Sequence, residues 1–213
     1  FSAATASNDT VFVTGNQYIA SSFPGDRALA FWNNTQYVYI SANYVKSSNA
    51  FYIRALKPAG PGNNTILNNT ATGNGGDAFF FQAGPSATVV MKNNLALNSK
   101  YGLWNPGDVT FTAFDYNFTN FETLYAVQGF SNFSANATNT DTSNSAIDTQ
   151  GILLAGSDAF NGGDPNPVYN DLNGTRNDAG AFGGNDPLSN YFTYSLVDNT
   201  YYQDADGDTY GNA

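Results

Sequence analysis

Three aspartates near the end of the chain, Asp204, Asp206 and Asp208, alternate with Ala205 and Gly207. In a tight loop that alternation points three carboxylates at one centre, and a set of hard oxygen ligands suits calcium. The plain alternative is a solvated acidic tail. A second set of chemistry-bearing residues is scattered: Asn-x-Ser/Thr occurs at Asn8, Asn33, Asn63, Asn68, Asn117, Asn132, Asn136 and Asn173. Each is a candidate N-glycosylation acceptor in a secreted chain, best placed in the loop holding Asn132 and Asn136. A chain this rich in Asn, Ser and Thr produces most of them by composition alone.

Catalytic groups are harder to assemble. The chain has no histidine, so the usual general base near neutral pH is missing. Arg27, Asn49 and Asp77 fall in one column of the repeat described below, with Arg54 further along the same strand. No pair of carboxylates joins them: Asp26 and Asp77 are isolated, and Asp108 and Asp115 lie on another turn. Chance placement at turn edges explains these residues better than catalysis does. Arg176, with Asp171 and Asp178, reads as a structural turn in which a guanidinium satisfies carboxylates and carbonyls.

The elements that must position these residues repeat. An apolar residue stands three before each of five asparagines: Val13, Ile40, Ile66, Met91 and Phe114 precede Asn16, Asn43, Asn69, Asn94 and Asn117. A second apolar column follows at Leu29, Phe51, Phe79, Leu103 and Leu124. Intervals in the twenties mark a repeat architecture. Within each unit apolar and polar residues alternate with period two, which means strands. Parallel strands joined by corners, each stacked on its copy in the next turn, predict an all-β, right-handed parallel β-helix of about five to seven turns. Asparagines at equivalent corners would hydrogen-bond from turn to turn along the axis. A two-sheet sandwich would instead show Asn-Gly hairpins at shorter spacing. The residue after each member of the second column faces outward by alternation. Tyr52, Phe80, Trp104 and Tyr125 therefore predict an outer aromatic column, suited to stacking sugars, meeting a protein, or lying under a loop.

Residues 1–187 are expected to form the β-helix domain, with a loop or degenerate turn at 130–149. Residues 188–213 form a β-prone tail ending in the acidic run. Charged residues make up only 11% of the chain, against 41% apolar and 15% aromatic, so the chain folds but has few surface charges. The net charge is −10, and from Asp158 onward nine Asp face the single Arg176. Nucleic acid is therefore not an expected partner, since phosphate binding needs clustered Lys and Arg. No cysteine is present, which excludes disulfides and thiol chemistry. No apolar run is long enough for membrane insertion. The start at Phe1, without an initiator Met, reads as a processed form that is secreted or on the cell surface.

The run Asp171-Leu-Asn-Gly-Thr-Arg-Asn-Asp-Ala-Gly-Ala-Phe-Gly-Gly184 resembles the terminal segment of secreted bacterial β-helix repeat proteins of the pectate-lyase-like superfamily. With the repeats, the resemblance covers about residues 10 to 187. Enzymes of that kind use an Arg or Lys base beside calcium-binding Asp, or paired Asp, so it implies polysaccharide lysis or carbohydrate binding as one function. The acidic run resembles thrombospondin-type and dockerin-like calcium loops, and in EF-hand numbering the carbonyl of Tyr210 takes the seventh position. It departs from the EF-hand pattern, since Thr209 stands where glycine is usual and no bidentate Glu follows. The expectation that combines these features is structural. The open ends of a β-helix template further strands, so copies would join head to tail into an extracellular fibre, with calcium at the junctions.

Overall fold

A computed structural model of the chain describes residues 10–19, 27–31, 37–47, 49–53, 63–72, 76–82, 86–99, 101–106, 109–119, 125–126, 140–141 and 147–191. A first coil holds β1 (Thr10–Thr14), β2 (Gln17–Ile19) and β3 (Arg27–Phe31). The next holds β4 (Tyr37–Ser41), β5 (Tyr44–Lys46) and β6 (Asn49–Ile53). Then come β7 (Asn64–Leu67), β8 (Thr70–Thr72) and β9 (Asp77–Phe81), followed by β10 (Thr88–Lys92), β11 (Leu95–Leu97) and β12 (Tyr101–Trp104). The described strands end with β13 (Thr110–Asp115), β14 (Phe118–Thr119), β15 (Tyr125–Ala126) and β16 (Thr140–Asp141). They stack into three parallel sheets: β1-β4-β7-β10-β13, β2-β5-β8-β11-β14-β16 and β3-β6-β9-β12-β15. The fold is a parallel β-solenoid.

Alternation along each strand sends one row of side chains inward. In the first sheet Val13, Ile40, Ile66, Met91 and Phe114 stand in register, as the spacing predicts. Opposite them, in the third sheet, Leu29, Phe51, Phe79 and Leu103 form a second interior row. Phe51 and Phe79 stack face to face at 4.7 Å. Small residues complete the row in the second sheet, where Val45, Ala71 and Ala96 leave room for the aromatics. One expected member is corrected. Leu103 pairs with Tyr125, so Leu124 is not in the row.

The expected five to seven turns are also too many: about three are complete and enclosed, those of β4–β6, β7–β9 and β10–β12. The first coil is a partly covered end, with β2 exposed along its length. Beyond β13 the strands shrink to two residues each. A bulge between Val89 and Val90 in the pairing with β13 admits one extra residue on that strand.

The asparagine corner explains how the chain turns between the first and second sheets. The residue before each corner asparagine has positive φ: Gly15 (67°), Ala42 (53°), Asn68 (49°), Asn93 (56°) and Tyr116 (57°). This left-handed conformation costs L-residues something, and Asn and Gly the least. The backbone groups at the corners pair chiefly with the neighbouring coils, as Ala42 N does with Asn68 O and Thr70 N with Asn43 O.

Residues 147–191 form a strap over the outer face of the second sheet, and Gly180 N donates to the corner carbonyl of Asn93 at 2.8 Å. Leu95 and Leu97 point outward from β11 yet are fully buried, packed with Phe118 against Ala159 and Ala179. Tyr44, two coils over, packs on Ala181 and Leu188. Gly180 lies so close that a Cβ there would meet the Thr70 hydroxyl at 2.6 Å, and its φ of +108° suits only glycine. At Gly15 the Tyr191 ring takes the place a side chain would need. Two short 3-10 turns, Pro167–Tyr169 and Leu188–Asn190, interrupt the strap.

Candidate functional site

The corner asparagines make a continuous amide row. Asn16 Nδ2 donates to Asn43 Oδ1 at 2.8 Å, Asn43 to Asn69 at 2.9 Å, Asn69 to Asn94 at 2.9 Å and Asn94 to Asn117 at 2.9 Å. The backbone N–H of each donor residue aims at the same oxygen, from Asn16 N to Asn43 Oδ1 at 3.0 Å onward. Each Nδ2 beyond the first also reaches back to the carbonyl of the apolar residue one coil earlier: Val13, Ile40, Ile66 and Met91. The two residue types singled out by spacing are thus two halves of one hydrogen-bonded corner. Asn43, Asn69 and Asn94 are buried, so these bonds form away from water.

At the first coil that order stops. Tyr18 stands in register with Val45, in the interior row, but is 42% exposed where Val45 is fully buried. Val11 and Val13 are only partly covered, while their partners Val38 and Ile40 are sealed. Among the described residues no strand pairs with the outer edges of β1, β2 and β3. The end of the core is therefore laid open at this coil.

The outer aromatic column is partly as expected. Tyr52 and Phe80 stack nearly parallel at 4.5 Å, and Phe80 meets Trp104 edge-on at 5.0 Å. The Arg27 guanidinium sits 3.9 Å above the Tyr52 ring. Two corrections apply. Trp104 pairs with Ala126, so Tyr125 belongs to the neighbouring row because the register of β15 is one residue from the expected one. Phe80 is only 7% exposed, so the face it lies on is largely closed there. Arg27 and Asn49 are paired as expected, and Asp77 pairs with Tyr101.

Among the glycosylation candidates, Asn63 and Asn173 are exposed. Asn173 Oδ1 accepts from the backbone N–H (2.9 Å) and the hydroxyl (2.6 Å) of Thr175. Asn68 and Asn117 are corrected as acceptors in the folded chain, because both are buried. Asn68 Nδ2 donates to Asn177 Oδ1 and to the carbonyls of Asp178 and Gly180, and Asn117 Nδ2 to Met91 O, so a glycan on either would break the corner or the strap. Asn8, Asn33, Asn132 and Asn136 lie outside the described residues, as do Asp204, Asp206, Asp208 and Tyr210.

Sequence reasoning missed the ion cluster that fastens the strap. Lys92 Nζ lies 2.8 Å from Asp164 Oδ2 and 3.6 Å from Asp115 Oδ2, and 5.5 Å from the centre of the Tyr169 ring. Burial alone would lower its pKa, but the hydrogen bond to Asp164 and the nearby negative charge outweigh that and hold it above the ordinary lysine value. The cluster anchors the strap to the first sheet. Lys92 is one of four lysines in an acidic chain, and nothing in its spacing names a partner 72 residues away. Arg176, expected to satisfy carbonyls and carboxylates at the end of the coil, donates to the Gly163 and Gly162 carbonyls on the flank. Asp171 Oδ1 accepts from Asp178 N and Gly184 N. A recess of about 500 Å³ opens beside the start of the strap, between Tyr44, Lys46, Thr72 and Asp148. Its described lining holds one cation, Lys46, and one carboxylate, Asp148, and no second carboxylate for hydrolysis.

No helix among the described residues is long and apolar enough to cross a membrane. Compared with known proteins, the chain matches no family model, no curated protein and no solved structure.

Proposed function

We propose that this chain is a structural protein of the extracellular space or cell surface, a subunit whose copies join head to tail into a fibre. The observation that supports it best is the interior row left open at the first coil, where Tyr18 stands half-exposed in a column that is sealed one coil further on. A β edge with uncovered interior side chains is stabilised by one more layer, and a second copy supplies a layer of the same width. Calcium at Asp204, Asp206, Asp208 and the Tyr210 carbonyl would stiffen the junction, as the likeness to thrombospondin-type and dockerin-like loops suggests. Glycans on Asn63 or Asn173 would sit on exposed turns, clear of the strap. Right-handed β-helix proteins of the pectate-lyase-like superfamily, which the repeats resemble, are the architectural precedent. Electron microscopy of the purified chain with and without a calcium chelator tests the proposal. Filaments that shorten on chelation are expected; a monomer unaffected by chelator or by removal of residues 190–213 overturns it.

A second reading, a carbohydrate-binding or polysaccharide-cleaving protein, has the stacked Tyr52–Phe80 pair under Arg27 in its favour. It expects glycan-array binding that Trp104→Ala abolishes, and ultraviolet absorbance from unsaturated products if the bond is cleaved by elimination.

A further inference from the structure

We infer that the joint between copies is polar and is made on the second sheet, β2 of one copy adding in parallel to β16 of the next, with Asn16 Oδ1 the acceptor that sets the register. This rests on the end-to-end reading above and adds to it which surfaces meet and in which sense.

The sense follows from the amide row. All four links run one way, from a donor in one coil to Oδ1 in the next. The row therefore begins with an acceptor, Asn16 Oδ1, and its N–H dipoles point toward the later coils. Asn16 is exposed, and among the described residues no donor reaches that oxygen. Two first coils meeting about a two-fold axis would set oxygen against oxygen and leave both without a donor. A later coil placed beneath the first presents N–H groups in the sense the row already uses. Aligned amides of this kind reinforce one another, so extending the row is favoured over ending it.

The sheet follows from the strand count. Among the described residues the second sheet has six strands and the others five, because β16 adds to β14. It extends one strand beyond the others at the last coil, so it meets an incoming edge first. The columns match: Gln17, Tyr44, Thr70, Leu95, Phe118 and Thr140 stand in one row, with Gln17 and Thr140 at its two ends. In the joint those two residues become neighbours on adjacent parallel strands, about 4.8 Å apart.

That spacing lies within the roughly 4.4–6.8 Å over which a disulfide bridges two Cα atoms, and the chain has no cysteine to interfere. The test uses the full chain carrying Gln17→Cys, Thr140→Cys or both, under mild oxidation, with sedimentation run in parallel. An equal mixture of the single variants is expected to give a mixed disulfide dimer, the double variant a covalent ladder, and each single variant alone no dimer. Asn16→Ala is expected to raise the concentration needed for assembly about tenfold, the worth of a hydrogen bond with its register. Assembly that stops at a dimer, or a covalent dimer of Gln17→Cys with itself, overturns the polar joint but leaves end-joining standing. Polymers without the mixed disulfide overturn the second-sheet joint alone. A monomer at every concentration overturns both this inference and the reading beneath it.

Discussion

Asn69 shows what one residue does here. It is fully buried, donates to the Ile40 and Leu67 carbonyls and to Asn94, and accepts two bonds from Asn43. Asn69→Ala leaves several of these groups buried without partners, at about 1–3 kcal/mol each before relaxation. Urea denaturation should show a loss of about 3 kcal/mol, against about 1 kcal/mol or less for Asn16→Ala on its exposed rung. Equal losses would mean that the row adds nothing by being buried. Asp178 is the opposite kind of residue. Burial raises its pKa and the nearby Asp171 adds to that, although the hydrogen bond from Asn161 N pulls the other way. A carboxyl that holds its proton more tightly folded than unfolded costs stability once ionised, so stability falls as pH rises through its folded pKa. Asp178→Asn keeps an oxygen for Asn161 and should raise Tm at pH 7. The gain should vanish below about pH 3.9, where the unfolded carboxyl is protonated too. A lower Tm at pH 7 would show that the charge is needed.

At the scale of elements, the strap and the coils are separable layers. Leu97 is buried on the outer face of β11, under the strap, whereas Ala96 between its neighbours faces the core. Leu97→Asp buries a carboxylate beneath Ala159 and Ala179, which costs far more than the layer gains from one leucine. Limited proteolysis should then cut within 147–191 while the coils stay resistant. Simultaneous loss of both would mean that the strap is part of the solenoid's folding unit. The repeat spacing located the first-sheet strands and the corners because each coil must bury the same faces. It misplaced β15 by one residue, since a two-residue strand carries too little alternation to set its own register. It left 130–149 as a loop or a degenerate turn; β16 lies within that stretch, and an asparagine, Asn139, precedes it as one precedes every other strand of the second sheet.

For the whole molecule, charge works against assembly. Each copy brings a net −10, and stacking copies brings like charges together. Assembly should therefore rise with sodium chloride up to several hundred millimolar, as screening shortens the reach of that repulsion. It should rise further with millimolar calcium, read as sedimenting mass at fixed protein concentration. Assembly that weakens steadily with salt would point to a charge-paired joint in place of a hydrogen-bonded one.

By itself the sequence determined the coil. Side chains alternate along a strand and equivalent residues recur from turn to turn, so the interior rows and the five-asparagine corner could be read from spacing alone. Only the tertiary structure decided what covers the coil. The strap reaches its partners over separations such as that of Lys92 from Asp164 or Gly180 from Thr70, and no local period encodes a contact between segments so far apart in the chain. The same is true of the open end: whether an interior residue such as Tyr18 is sealed depends on what lies on the next layer, which its own strand does not specify.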